Sequence, residues 1–462
     1  MYFTPKLGLT LCAAALATLY GCGREEPKKA EAPKSSTTTT TTTAATPPAP
    51  PAEDTITIRI GHAGPLTGGI AHLGKDNENG ARLAVEQATA KKIKIGGKVA
   101  KFELQGEDDQ ADPKLGPTIA QKFVDAKVGG VVGHLNSGVT IPASAVYSQA
   151  NLPMISGSAT NPKLTEQGLK QTFRVVGRDD QQGPAVAQYL QSMNVKQVAI
   201  VDDATAYGEG LANEVEKTLK ASGVTVVARE KTNDKATDFK AILTKMKGRN
   251  PDAVFYGGMD ATGGPMLKQA RELGINAVFS FGDGACTDTM KQLAGDKVAE
   301  GLICSQAGLP ANAASKQFLD AYKAKYNVDP IIYAPFTYDA ANMIIESMQK
   351  ADSADPAKYL PILQKLSHKG STGTIEFDEK GDRKNAEITI FSMKGGKLEP
   401  VAVVQGGKSV AFAEFMKNMG GAAPPSTAAA PAPAPAATPA PAASTPPAAP
   451  AKPEPATAAP KK

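Results

Sequence analysis

The chain has 462 residues, a formal charge of +5 from 51 basic and 46 acidic side chains, four cysteines and no tryptophan. So weak and dispersed a charge excludes an electrostatic binder of nucleic acid or anionic membrane, and an aromatic content of 5% removes a stacking platform for bases. The four histidines, His62, His72, His134 and His368, stand at no metal-ligand spacing from a cysteine or from each other, so neither a metal nor another cofactor is expected.

Residues 1–22 read as an export signal: Lys6, a short apolar run over 7–19, then Tyr20-Gly21-Cys22. The run falls short of the about 20 apolar residues that a lasting membrane span needs. Its ending resembles a bacterial lipobox, which makes Cys22 the expected lipidation site; ordinary secretion with a chance cysteine is the plainer alternative. Residues 23–54 combine charges, seven consecutive threonines (Thr37 to Thr43) and a Pro-rich end, a composition that cannot bury enough surface to fold and serves as a tether. The body that follows exceeds the size at which one core usually splits, so two lobes are expected.

Within the body, Ile56, Ile58 and Ile60 alternate in a strand, and a Gly/Pro/Thr turn over 61–69 precedes a helix with Ala81, Ala84, Val85 and Ala88 on one face. A second strand covers 99–105, Pro113 opens a helix carrying Ile119 and Phe123, and 128–135 is a buried strand. A helix over 141–150 and a strand over 152–155 follow. After Arg178 comes a second series, with helices over 184–193, 210–221, 239–246 and 266–273. Each leads to a strand, over 197–201, 224–228, 252–256 and 277–280 respectively. Residues 315–350 and 357–366 are mostly helical, and 374–377 and 387–391 are strands. From 419 onward the chain is an Ala/Pro-rich spacer. Val- and Ile-rich strands alternating with helices predict an α/β chain of two doubly wound parallel-sheet lobes.

In such sheets ligands sit beyond the carboxyl ends of the strands, so the turns there hold the candidate site. Asn136-Ser137-Gly138-Val139-Thr140, with Pro142 in the first turn of its helix, and Ser156-Gly157-Ser158-Ala159-Thr160-Asn161 each place small hydroxyls and free amides at a helix start. That suits a carboxylate, although helix capping explains either turn alone. In the second series, Tyr207 lies in Ala206-Tyr207-Gly208-Glu209-Gly210, and Asp283 sits between Gly282 and Gly284. A carboxylate so unshielded suits an ammonium, while ordinary turn chemistry is the bland alternative. An α-amino acid held between the lobes fits both sets. Asp108-Asp109 reads as a solvated strand end, since adjacent strand residues face opposite ways. No catalytic residue is expected: phosphate loop, nucleophile elbow and metal cluster are all missing from the sequence.

Cys12 falls in the signal and Cys22 at the lipobox, which leaves Cys286 and Cys304 as an even pair in an oxidising compartment and an expected disulfide.

Five stretches carry a family resemblance: Gly133-His134-Leu135-Asn136-Ser137, Gln182-Gly183-Pro184, Tyr207-Gly208-Glu209-Gly210-Leu211, Tyr256-Gly257-Gly258 and Phe377-Asp378-Glu379-Lys380-Gly381-Asp382. From about Ile56 to Val403 the chain resembles the periplasmic branched-chain amino-acid-binding proteins of ABC importers, which have the type I periplasmic-binding fold. The resemblance implies hydroxyls of Ser137 and Thr160 and the amide of Ser158 for the ligand carboxylate. It implies Asp283 and Tyr207 for the ammonium, and Leu73, Met259 and Tyr333 for the side-chain pocket. The family's first-lobe disulfide is absent, because Ala111 and Asn136 occupy its places.

A three-segment hinge is implied near Gly177, 306–309 and 385–389. It divides the body into lobe 1 (55–177, returning over 308–386) and lobe 2 (178–307, returning over 387–418). The implied protein is a periplasmic, lipid-anchored monomer and not an enzyme. It closes on a small amino acid and hands it to ABC permease subunits in the inner membrane. A sensor of the same fold, or a binder of an amide, short peptide or aromatic acid, is the alternative.

Overall fold

A computed structural model describes residues 53–418. The export signal, Cys22, nearly all of the tether and the Ala/Pro-rich tail lie outside the described residues. Six strands make the first sheet: β1 (Thr55–Gly64), β2 (Lys94–Ile95), β3 (Lys98–Asp108), β4 (Gly130–Gly133), β5 (Met154–Ser156) and β6 (Thr172–Arg174), in the order β2-β3-β1-β4-β5-β6. The chain then builds β7 (Gln197–Asp202), β8 (Thr225–Lys231), β9 (Ala253–Gly257), β10 (Val278–Phe281) and β11 (Ile303–Gln306). A small hairpin, β12 (His368–Gly370) with β13 (Gly373–Ile375), precedes β14 (Ile388–Lys394), β15 (Lys397–Gln405) and β16 (Lys408–Ala411). The second sheet runs β16-β15-β14-β11-β10-β9-β7-β8. Each sheet with its helices forms one lobe.

Pairing is parallel from β3 through β1, β4 and β5 to β6, and again among β7 to β11. Both ends of the chain's path depart from the all-parallel expectation. β2 pairs antiparallel with β3, and β14, β15 and β16 form an antiparallel meander on β11. Three of these four pairings, all but that of β14 with β11, share a cause. Gly96-Gly97, Gly395-Gly396 and Gly406-Gly407 all have positive φ, the geometry of the two-residue hairpin turns that match strand twist. Glycine pairs between apolar runs were the available signal for β15 and β16, which the sequence reading missed.

Helices begin earlier than the apolar periodicity predicts. The observed helices are Ser137–Gln149, Asp179–Ser192, Ala206–Ala221 and Asp260–Glu272. Their first turns are polar or glycine-rich, so periodicity alone cannot see them. Pro142 consequently lies in the second turn of its helix, not the first.

Asp76, buried in the helix Ala71–Ala90, organises much of the first lobe. Its carboxylate accepts the N–H groups of Ile331, Ile332, Tyr333 and Ala334 at 2.8–3.0 Å. Those amides open the helix Ala334–Lys350, where a negative charge is favourable. Ala340, Ala341, Ile344 and Met348 of that helix pack into one core with Ala81, Ala84 and Val85. Tyr333 is fixed as a by-product.

The chain passes between the sheets three times: after Arg174, after Gln306 and before Ile388. Gly177 N donates to Ala307 O at 3.0 Å and Thr389 Oγ1 to Gly308 O at 2.7 Å, so the passages are stitched side by side. Arg174, fully buried, pairs with Asp382 at 2.6 Å, and Arg178 pairs with the same carboxylate at 2.7 Å.

Asp109 corrects the expectation of a solvated strand end. It is fully buried and meets His134 Nδ1 at 2.8 Å, while His134 Nε2 meets the Tyr147 hydroxyl at 2.9 Å. Its neighbour Asp108 accepts the Leu66 amide and the Thr67 hydroxyl. The strand end is therefore wrapped by the turn after β1 on one side and by β4 on the other, which a one-dimensional reading of alternation does not reveal.

Candidate functional site

Ser137 opens the helix after β4 and is 1% exposed; its Oγ accepts the Asn161 amide at 3.3 Å. Ser158 spends its hydroxyl inside the protein, donating to Leu135 O at 3.2 Å and accepting from Asn77 Nδ2 at 2.9 Å. That leaves its backbone amide, whose nearest acceptor is Ser156 Oγ at 3.4 Å. Thr160 Oγ1 is buried and has no hydrogen-bond partner among the described residues. Two consecutive βα turns thus bring three small polar residues together beneath the surface.

Asp283 follows β10 in a short 3-10 turn, Asp283–Ala285, and is 1% exposed. Its Oδ1 accepts from the Tyr207 hydroxyl at 2.8 Å and from Gln182 Nε2 at 3.0 Å, and its Oδ2 accepts from the Tyr333 hydroxyl at 2.7 Å. Burial raises its pKa, and the three donors act against that rise. The flanking glycines are required by packing. A Cβ on Gly282 would lie 2.4 Å from the Tyr207 hydroxyl, and one on Gly284 would lie 2.5 Å from Met259 Sδ. Cys286 and Cys304 are joined, with Sγ atoms 2.00 Å and Cα atoms 5.2 Å apart, which ties this turn to β11.

Leu73, Leu135, Tyr333, Tyr256, Phe281 and Ala285 belong to one buried apolar cluster, with Met259 packed against it. Leu73 and Met259 therefore face the same apolar region from different lobes. Tyr333 contributes more than a wall, because its hydroxyl reaches the acid. Asn161 Nδ2 also donates to Ala206 O at 2.6 Å across the lobes. The lobes are shut.

Two residues escaped the sequence reading of the site. Gln182 bridges Asp283 and Asp179, with its Nε2 3.2 Å from Asp179 Oδ1. Asp179 is fully buried, and its Oδ2 has no partner among the described residues. Its pKa is pushed up to about 8, by burial first and then by the neighbouring charge of Asp283. Their signal was the run Asp179-Asp180-Gln181-Gln182, a polar first turn directly after a passage between the sheets. The arrangement sets hydroxyls and an amide of the first lobe near two carboxylates of the second, with an apolar cluster beside them.

Residues 57–397 match a protein-family model described as periplasmic binding protein. The leucine-, isoleucine-, valine-, threonine- and alanine-binding protein of Pseudomonas aeruginosa is 36% identical over 340 residues, spanning 72% of this chain and 89% of that protein. Among solved structures, the branched-chain amino acid transporter substrate-binding protein LivJ of Streptococcus pneumoniae, in complex with isoleucine, has 30% identity and a TM-score of 0.68. The match covers 76% of this chain and all of that one (100%). The leucine-binding protein LivK of Thermotoga maritima has 27% identity and a TM-score of 0.70, covering 76% and 99%.

Proposed function

The chain belongs to the periplasmic binding protein family, and from that premise we propose that it is the extracytoplasmic solute-binding protein of an ABC importer, capturing an aliphatic α-amino acid of the branched-chain type. The observation that carries this reading is the pairing of orphaned polar atoms with a doubly acidic wall. Thr160 Oγ1 and Asp179 Oδ2 are buried beside each other, and neither makes a hydrogen bond of good geometry among the described residues. Buried polar atoms are almost always hydrogen-bonded, and an amino acid backbone supplies the partners that these lack.

In this reading Ser137, Thr160 and the Ser158 amide hold the carboxylate. Asp283, Tyr207 and Asp179 hold the ammonium, and Leu73, Met259 and the ring of Tyr333 line the side-chain pocket. Lobe 1 is 55–177 with 308–386, and lobe 2 is 178–307 with 387–418. Hinge closure strips water from both ligand charges, each of which must then be fully hydrogen-bonded. The closed body is what permease subunits recognise. Cys22 carries the lipid, residues 23–54 are the leash, and the binder works as a monomer in the periplasm without a catalytic step.

Calorimetric titration of the purified protein with the common L-amino acids tests the reading. Saturable binding of leucine, isoleucine or valine is expected. Absence of any aliphatic binding, with an amide or an aromatic acid bound instead, overturns it.

A further inference from the structure

His72 is the second residue of the helix Ala71–Ala90 in the first lobe, and Asp260 is the first residue of the helix Asp260–Glu272 in the second. Their side chains meet across the lobes, Nε2 to Oδ2, at 2.7 Å. The Asp260 side chain has no exposure and that of His72 retains 27%. Thr287 Oγ1 donates to the same oxygen at 2.6 Å, and Asp260 Oδ1 has no partner among the described residues. The backbones also come close here: a Cβ on Gly69 would lie 3.2 Å from that of Ala261. In sequence each partner adjoins a residue of the apolar wall, His72 beside Leu73 and Asp260 beside Met259.

We propose that His72 and Asp260 form a closure latch that clamps the two walls of the cleft together without touching the ligand, and that its grip is set by pH. The inference rests on the ligand-binding reading above for its consequence but not for its geometry. Two acids act on the imidazole, Asp260 across the cleft and Asp76 on its own helix. Both Asp76 oxygens are already engaged by the amides of 331–334, so Asp260 is the hydrogen-bonding partner. That bond raises the pKa of His72, against the opposing effect of burial.

Opening the cleft breaks the bond and leaves the imidazole with Asp76 alone, so its pKa falls back toward the ordinary value of about 6.5. The closed form therefore holds the proton more tightly. The latch contributes fully below the open-form value and fades as pH rises through the closed-form value. Ligand binding takes up a proton within that window.

The test uses the full-length protein with L-leucine as probe, titrated calorimetrically in buffers of different ionisation enthalpy. H72Q is expected to weaken binding about fivefold at pH about 5.5 and less than about twofold at pH about 8.5, and to take up fewer protons on binding than the wild type at pH about 7, inside the window. Equal affinities and equal proton counts in wild type and H72Q overturn the latch and leave the ligand reading intact. If leucine does not bind at all, the ligand reading fails. The latch is then judged by NMR titration of the His72 ring, assigned by its loss in H72Q. A midpoint above the ordinary histidine value that falls in Asp260→Asn supports it, and coincident curves in wild type and Asp260→Asn overturn it.

Discussion

The phenol of Tyr333, carried by the first lobe, donates to Asp283 Oδ2 in the second at 2.7 Å. The acid proposed to hold the ligand ammonium is thus also a bond between lobes. Because Asp76 fixes the Tyr333 amide, the placement of this phenol is decided in the first lobe and felt in the other.

Asp283→Ala leaves a ligand ammonium facing the donors of Tyr207, Gln182 and Tyr333 with Asp179 as its one remaining carboxylate. A loss of about 2–5 kcal/mol in binding is expected, by comparison with truncated buried charge pairs. Tyr333→Phe removes a single charge-assisted bond and costs less, about 1.5–3 kcal/mol. Titration calorimetry checks both values. Unchanged affinity in a folded Asp283→Ala protein removes the residue from the site.

Asp179 shifts stability with pH in the same direction as the His72 latch, but its proton exchange on ligand binding has the opposite sign. With its carboxyl pushed up to about 8, the folded protein binds more protons than the unfolded chain between the ordinary carboxylate range and that value. Stability therefore falls as pH rises through the interval. An ammonium placed beside Asp179 favours the charged form, so binding near neutrality releases its proton. Asp179→Asn should flatten the decline of melting temperature over the interval and abolish the release, both readable by melts and by titration in paired buffers.

The Cys286–Cys304 bridge closes a loop of 18 residues in sequence separation. Reduction is expected to cost about 3 kcal/mol of stability by the chain-entropy relation, and to weaken ligand binding because the bridge starts three residues after Asp283. Intact-mass analysis after alkylation should find these two thiols blocked before reduction and free after it.

Cys22→Ser should shift the protein from the membrane to the soluble fraction and remove an acyl mass from the mature N-terminus. Ligand affinity should be indifferent to the change. Full membrane retention of the variant refutes the anchor.

Much of the fold was legible because Val- and Ile-rich runs such as 197–201 and 252–256 are short, apolar and bounded by turn residues. The antiparallel edge was legible only through the glycine pairs at its turns, since β15 has a half-exposed pattern over Lys397–Gln405 that carries no clear alternation. At the site, Ser137, Thr160, Tyr207 and Asp283 stood in turns whose chemistry is local. Asp179 and Gln182 did not, for their meaning depends on Asp283, about a hundred positions away in the chain (101 from Gln182). The burial of Asp109 by His134 is long-range in the same sense, and no periodicity reports it.

Passing three times between the sheets imposes an order on biosynthesis. All strands of the first sheet have been made once Arg174 emerges, yet the helix that seals one of its faces ends only at Lys350. The second sheet waits still longer, until β14 to β16 are supplied. A nascent chain of intermediate length holds two unfinished cores and no complete folding unit, and domain-by-domain folding during synthesis is closed to it. The polypeptide stays unfinished for most of its translation, the condition that passage of an unfolded chain through a narrow channel requires.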